Sequence, residues 1–368
     1  MLNEPISKRY LADGKENFQL TSVQIAARDS ISKKLGSGDY AVETVNCPLC
    51  EGSKSKSLSD KDAYGLPVKV MVCSECGLVY NNPRLTEASL PAFYGEDYRE
   101  LDRVLPSVEA YYQLENTKGK RIFQFLAKNA LLPQISGKAV VDIGCGAGGV
   151  LGHFQQAGYD VLGCDLVPAH LEYGRKEKHL DLHYGSLQTI EKLKGERGIH
   201  IGLVIYEQVF EHLPDPNLEL QRLHQMMMPG SLLYVGVPGL RNIDQQYNSD
   251  FLRFLQLPHL VHFDLEHLIA LMRKNGFQFV AGNEIVQSIF IKSTAVENLQ
   301  LPRYESTAQF IAGLERRRER KEKIALICGF PSRTSTHLKN WLENSPLPTP
   351  VKVGLIRFLK KVKYFIKA

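Results

Sequence analysis

The chain reads as an α/β protein in which a Rossmann-like, doubly wound sheet follows a small metal-stabilised ribbon. Three observations predict this. Residues 139–165 run as apolar strand, glycine-rich turn, helix and second strand, the opening unit of a nucleotide-cofactor fold. Apolar runs at Ile201–Tyr206, Leu232–Val235 and Ser288–Ser293 supply later strands. Upstream, Cys47-x-x-Cys50 and Cys73-x-x-Cys76 stand 22 residues apart, a spacing suited to one tetrahedral Zn²⁺ site.

In chain order, residues 1–40 are polar, with a helix expected over Thr21–Lys34 and capped by Thr21 or Ser22. Residues 41–98 are expected to form the ribbon. Each Cys-x-x-Cys turn sets two sulfurs on one side, with a glycine following at Gly52 and Gly77, and Val68–Val72 has the pattern of a strand. Four thiolates leave no open coordination position, so the zinc on Cys47, Cys50, Cys73 and Cys76 is expected to be structural. Two redox dithiols are the alternative, but the thioredoxin-like strand–helix context is missing. The seven cysteines, an odd number, include Cys145 in the glycine turn and Cys164 beside Asp165, which suits a reducing compartment. The absence of a membrane-length apolar stretch or an apolar signal core leads to the expectation of a soluble, cytoplasmic protein.

A helix expected over Ser107–Asn129 carries Tyr111, Leu114, Ile122, Phe123 and Leu126 and would pack on the sheet edge over the cofactor. Gly144, Gly146, Gly148 and Gly149 then allow a tight turn and close approach to a ligand. These glycines also satisfy the Gly-x-Gly-x-x-Gly pattern of dinucleotide enzymes. Asp142 decides between the two cofactors. Its carboxylate would repel a pyrophosphate but suits S-adenosylmethionine, which carries an ammonium and a sulfonium. Asp165, 23 residues on, ends the second strand where a carboxylate can accept the ribose hydroxyls.

At Asp142-x-Gly144-x-Gly146 and Asp165 the chain resembles the class I S-adenosylmethionine-dependent methyltransferases, and the likeness continues through Glu207–Pro216 and Met228–Val235. The resemblance implies a seven-stranded domain over residues 105–295. In it, S-adenosylmethionine would be held by Asp142, Gly144, Gly146, Asp165, Leu166, Ser186, Leu187, Tyr206, Glu207 and Gln208. The cysteine ribbon, the run Gly77-Leu-Val-Tyr-x-x-Pro83-Arg84 and the pair Tyr94/Tyr98 resemble a bacterial group associated with methylation of deoxysugars and surface polysaccharides. That likeness, covering residues 45–295, implies a nucleotide- or lipid-linked saccharide as acceptor.

For the reaction, His212, His259 and His262 are the candidate bases, with Glu207 beneath the transferable methyl group; the choice among the histidines stays open. The segment Glu211-His212-Leu213 is similar to one in quinone O-methyltransferases, where Glu-x-x-Glu-His is associated with a divalent metal. Gln208 replaces the first glutamate of that pattern and weakens a Mg²⁺ site. Residues 301–368 hold fifteen basic and five acidic residues, which leaves residues 1–300 at −5 of the overall +5. An acidic body, together with the lack of an Asp/Asn-Pro-Pro-Tyr exit, argues against nucleic-acid substrates.

Residues 296–368 form a basic extension too short for the extra α/β domain of larger sugar C-methyltransferases, which favours O-methylation. A charged helix is expected over Gln309–Lys323 and a strand over Lys323–Gly329. Over residues 351–367, Val351, Leu355, Phe358, Leu359, Val362, Phe365 and Ile366 make one apolar stripe bordered by lysines. This amphipathic helix is expected to rest on the inner membrane surface or to dock on protein. Two functional alternatives remain beside the saccharide reading: O-methylation of a small aromatic or lipid acceptor, and a non-catalytic zinc-ribbon binding module.

Overall fold

The structure is a computed structural model, and it describes residues 5–101, 107–293 and 299–327. The chain divides into two compact units, residues 1–314 and 315–368. Seven strands make the central sheet of the first: β1 (Ala139–Ile143), β2 (Val161–Asp165), β3 (Leu182–Tyr184), β4 (Ile201–Glu207), β5 (Leu232–Gly236), β6 (Phe277–Gly282) and β7 (Gln287–Lys292). Their order is β6-β7-β5-β4-β1-β2-β3, and β7 runs antiparallel to both its neighbours. The chain order reverses beside β1, so β1 and β4 open a crevice at their carboxyl ends, where ligands bind in open α/β sheets. Strands β1, β4 and β5 are apolar because both faces are covered: Val140, Val141, Leu203, Val204, Leu232 and Leu233 are all buried.

The described residues include eight longer helices: α1 (Ser22–Ser37), α2 (Val108–Lys128), α3 (Gly149–Gln156), α4 (Pro168–Lys178), α5 (Leu187–Arg197), α6 (Pro216–Met226), α7 (Leu265–Lys274) and α8 (Tyr304–Ile327). Helix α1 starts in a capping box between Thr21 and Gln24, as its sequence anticipates. Helix α2 is capped by Ser107 and buries Tyr112, Glu115, Gly119, Ile122 and Leu126, a stripe at helical spacing. That stripe meets α3 at backbone distance. A Cβ on Gly119 would lie 2.7 Å from the Val150 carbonyl oxygen, and one on Gly149 would lie 2.4 Å from that of Tyr112.

The cysteine region forms a second sheet from the hairpin Ser55–Lys61/Pro67–Cys73 and the strand Val79–Asn81; the expected strand Val68–Val72 lies within it. Its fourth strand is Val261–His262, contributed from beyond β5. In the second cysteine turn Gly77 takes a positive φ of 81°, whereas in the first it is Glu51, at φ 63°, and not Gly52 that does so. The left-handed position is the residue directly after the second cysteine of each pair. The Lys274 ammonium holds the first turn there by donating to the Leu49 carbonyl (3.0 Å) and pairing with the Glu51 carboxylate (2.7 Å).

Lys323–Ile327, expected as part of a strand, continue α8 instead. The residues before them are strong helix formers, and Arg318 pairs with Glu315 (3.0 Å) and Glu322 (2.7 Å) one turn either side, so the helix carries through the short apolar run. The stripe over residues 351–367 lies outside the described residues. Among those described, no helix is long and apolar enough to cross a membrane.

Candidate active site

The donor half of the site is built on the β1 exit. Gly144 and Cys145 both donate their N–H to the Cys164 carbonyl (2.8 and 3.0 Å), which folds the turn back onto β2. Gly144, Gly146 and Gly148 all take positive φ, and a Cβ on Gly146 would lie 2.6 Å from the Tyr111 hydroxyl. Tyr111, from α2, thus lies directly over the loop, stacked on His170 of α4 (4.7 Å between rings). Asp165 accepts from the N–H groups of Gly146 (2.9 Å) and Val167 (2.8 Å), so the carboxylate is held in place by the loop it faces.

The carboxyl groups of this half are buried close together, and each resists ionising beside the others. Burial pushes the Asp142 carboxyl well above its ordinary range, and neighbouring Glu115, Glu207 and Asp165 push it further. Glu207 is raised to about 7, mainly by burial, and accepts from the Tyr234 hydroxyl at 3.2 Å. Asp165 too is raised by burial. The Lys118 ammonium, 3.0 Å from Glu115, offsets the cluster, with Arg99 acting on Asp165 and Arg121 on Glu207. Carboxyls crowded in this way ionise more readily beside a cationic ligand and would repel a phosphate.

The remaining predicted donor residues divide. Leu166 is half exposed at the lip of β2. Ser186 caps α5, with its hydroxyl on the Gln188 side chain. Leu187 points into the core, and Tyr206 sends its hydroxyl away to Glu219 of α6 (2.6 Å), so what these two offer a cofactor is backbone. Gln208 adopts φ 59° and donates its N–H to the Gly236 carbonyl (2.7 Å), turning the chain sharply after β4. Sequence reasoning missed Glu115. It sits one turn after Tyr111 on α2, and that i, i+4 spacing was the available signal.

The acceptor half lies past the turn at Gln208. Glu211 and His212 sit in a short 3₁₀ turn, Phe210–His212. The structure brings His212 together with His259 (4.9 Å between rings), and His259 with His262 (6.2 Å). His212 Nδ1 lies 2.9 Å from the Pro258 carbonyl and 2.9 Å from the Tyr94 hydroxyl. A carbonyl can only accept, so Nδ1 carries the proton and Nε2 is left as a bare acceptor, 3.8 Å from a Glu211 oxygen. Burial holds His212 down at about 4 and His262 at about 3, and lowers His259 well below its ordinary value with help from the other two rings. Both Glu211 oxygens are buried without a hydrogen-bond partner, and burial raises that carboxyl to about 8. Tyr94 and Tyr98 set their rings edge-on to His212 at 5.9 and 6.3 Å; the Tyr-x-x-x-Tyr spacing was visible, but its destination was not.

Among the described residues, two groups of side chains can hold metal. The four sulfurs of Cys47, Cys50, Cys73 and Cys76 lie within 4.8 Å of one another. Cys47–Cys76 and Cys50–Cys73 are 3.5 and 3.4 Å apart, too long for disulfides and close to the edge of an S₄ tetrahedron around zinc. In the second group, one ligand atom from each of Glu211, His212 and His259 falls within the same 4.8 Å limit.

Sheet order, glycine turn and flanking carboxylates together define the class: the chain carries a class I S-adenosylmethionine-dependent methyltransferase domain with an N-terminal four-cysteine cluster. Residues 113–281 match the family described as methyltransferase domain. Similar proteins include the ubiquinone biosynthesis O-methyltransferases of Bordetella avium, 30% identical over 107 residues (28% of this chain and 44% of the relative), and of Acinetobacter baumannii strain AYE, 30% identical over 104 residues (27% and 44%). The chain thus spans under half the length of these relatives. Among solved structures, DesVI of Streptomyces venezuelae is similar at 14% identity and a TM-score of 0.36, covering 50% of this chain and 93% of that one.

Proposed function

We propose that the protein transfers the methyl group of S-adenosylmethionine to a hydroxyl of a saccharide, nucleotide- or lipid-linked, with His212 as the base. The observation that carries the reading is the polarity of the two halves: buried carboxyls surround the glycine turn, and past the turn at Gln208 stand three buried imidazoles held neutral, with His212 Nε2 bare. Asp142 would hold the amino group of the donor and Asp165 its ribose, with Gly144 and Gly146 giving the backbone room and Tyr111 closing over them. When bound, S-adenosylmethionine supplies a methyl group already activated by its sulfonium. The protein's work is then alignment and removal of one proton. With the donor bound, His212 Nε2 would accept the acceptor's hydroxyl proton as that oxygen takes the methyl group, and the donor's sulfur would keep the bonding pair. The resulting imidazolium lies beside Glu211, whose unpartnered oxygens then gain a counter-charge.

The ribbon's resemblance to proteins of sugar methylation and the run of hydrogen-bond acceptors at Glu211, His212 and His262 support a polyhydroxylated acceptor. Titration calorimetry with S-adenosylmethionine and with NAD tests the donor. Incubation of a nucleotide-sugar panel with deuterated S-adenosylmethionine, read by mass spectrometry, tests the acceptor. Heat with NAD alone defeats the first claim, and label found only in phenolic or lipid acceptors defeats the second. A second reading is favoured by Glu211, His212 and His259, which resemble a two-histidine, one-carboxylate metal set. A divalent cation there would orient a phenolic acceptor, as the names of the O-methyltransferase relatives invite. Mn²⁺ titration of the zinc-loaded protein, followed by electron paramagnetic resonance, separates the two readings: binding lost in Glu211→Gln supports the metal.

A further inference from the structure

We infer that Asn81, at the end of the cysteine ribbon, is a positioning residue for the acceptor side of the site, and that holding the segment 256–262 is what the ribbon does for the reaction. The inference rests on the reading of the three histidines as the acceptor side. All three depend on this segment. His259 and His262 belong to it, and His212 takes its tautomer from the Pro258 carbonyl. The ribbon grips the segment along its length. The Ala63 N–H donates to the Leu255 carbonyl (2.9 Å), and the Leu257 N–H to buried Asp62 (3.0 Å). The Asn81 N–H donates to the Leu260 carbonyl (3.0 Å), and Val261–His262 pairs as a strand with Val79–Tyr80.

The Asn81 side chain adds a chemical instruction to this grip. It is fully buried, and its amide nitrogen faces two carbonyl oxygens, those of Leu257 (3.0 Å) and Gln256 (3.4 Å). Carbonyls only accept, so the NH₂ must face them and Oδ1 must face His262 Nε2, at 3.3 Å. Oδ1 only accepts in turn, so Nε2 carries the His262 proton and Nδ1 is bare. That Nδ1 atom is buried without a partner and so is free to meet a ligand. One amide therefore ties the segment to the ribbon and selects the tautomer of a histidine in the acceptor cluster. A residue packed there only to fill space would do neither.

The test is NMR on full-length, zinc-loaded, ¹⁵N-histidine-labelled protein, with the His262 signals assigned by their loss in His262→Gln. The wild-type ring is expected as a single tautomer protonated at Nε2. Asn81→Ala is expected to average it between both tautomers, while the affinity for S-adenosylhomocysteine by calorimetry moves by less than about twofold. Asn81→Asp separates the two roles: it keeps an acceptor for Nε2 but loses the donor, so the Nε2 proton stays while amide exchange over 256–262 quickens. Wild-type His262 protonated at Nδ1 overturns the inference without any variant. So does a folded Asn81→Ala protein with an unchanged His262 signal. If wild-type protein fails to bind S-adenosylhomocysteine, the methyltransferase reading fails, and the tautomer result still decides the assignment of Asn81.

Discussion

The two halves of the site differ in how they are made. The core of the donor half comes from one stretch, residues 142–165, with one face of α2 and Glu207 of β4 beside it, and its character is that of crowded, buried carboxyls. The acceptor half is assembled from residues 94–98, 211–212 and 256–262, brought together by a ribbon that precedes the catalytic domain, and its character is that of neutral, proton-accepting rings. A local turn can be encoded by spacing alone, whereas a pocket gathered from distant segments depends on the fold that closes it.

The comparison can be broken in several places, and the largest effect is expected at the metal. Cys73→Ser removes one of four sulfurs from a hairpin with little core of its own. Zinc content by mass spectrometry and the melting temperature should both fall, by a stability loss on the order of several kcal/mol. A protein that keeps its melting point without zinc would show that the ribbon holds the acceptor half unaided. Next comes the base: His212→Gln should lower kcat by roughly 10²–10⁴-fold while leaving donor affinity in place, as read by steady-state kinetics and calorimetry. Asp142→Asn should do the reverse. Loss of a buried charge partner is expected to weaken S-adenosylmethionine binding by about a hundredfold, with the acceptor half untouched.

The smallest effect is the pH dependence of the free protein, in which the histidines of the acceptor half make the acid limb and Glu207 and Glu211, one from each half, make the alkaline limb. The histidines have native pKa values below their ordinary 6.5, about 4 for His212, so the stability they leave intact above 6.5 is lost as pH falls towards 4. Glu207 and Glu211 have native values above their ordinary 4.5, about 7 and about 8, so stability is lost as pH rises from 4.5 through 8. Melting temperature should therefore peak near neutrality or slightly below. Glu207→Gln should flatten the alkaline limb alone, as thermal scans across that range will show.

Legibility in the sequence follows the same division. The strand Ala139–Ile143, its turn and the β2 strand Val161–Asp165 stood out because buried parallel strands are short apolar runs and only glycine fits the loop. Cys47, Cys50, Cys73 and Cys76 stood out because metal ligands keep strict spacing. His212, His259 and His262 were recognised as residue types, but their meeting, and the service of Tyr94 and Asn81 to them, needed the pairing of Val261–His262 with the ribbon, which no local pattern announces. Glu115 was hidden by a helix that otherwise reads as core. The helical fate of Lys323–Ile327 was hidden because a short apolar run suits helix or strand equally.

The glycine contacts between α2 and α3 set how near a lid can ride above its vessel. A single methyl at Gly119 or Gly149 would act as a shim, lifting Tyr111 and Glu115 together off the loop. Such a change would replace no ligand-facing side chain and still let bulk water leak in around the donor. Loose retention of the spent cofactor, rather than a lost contact, would be its signature.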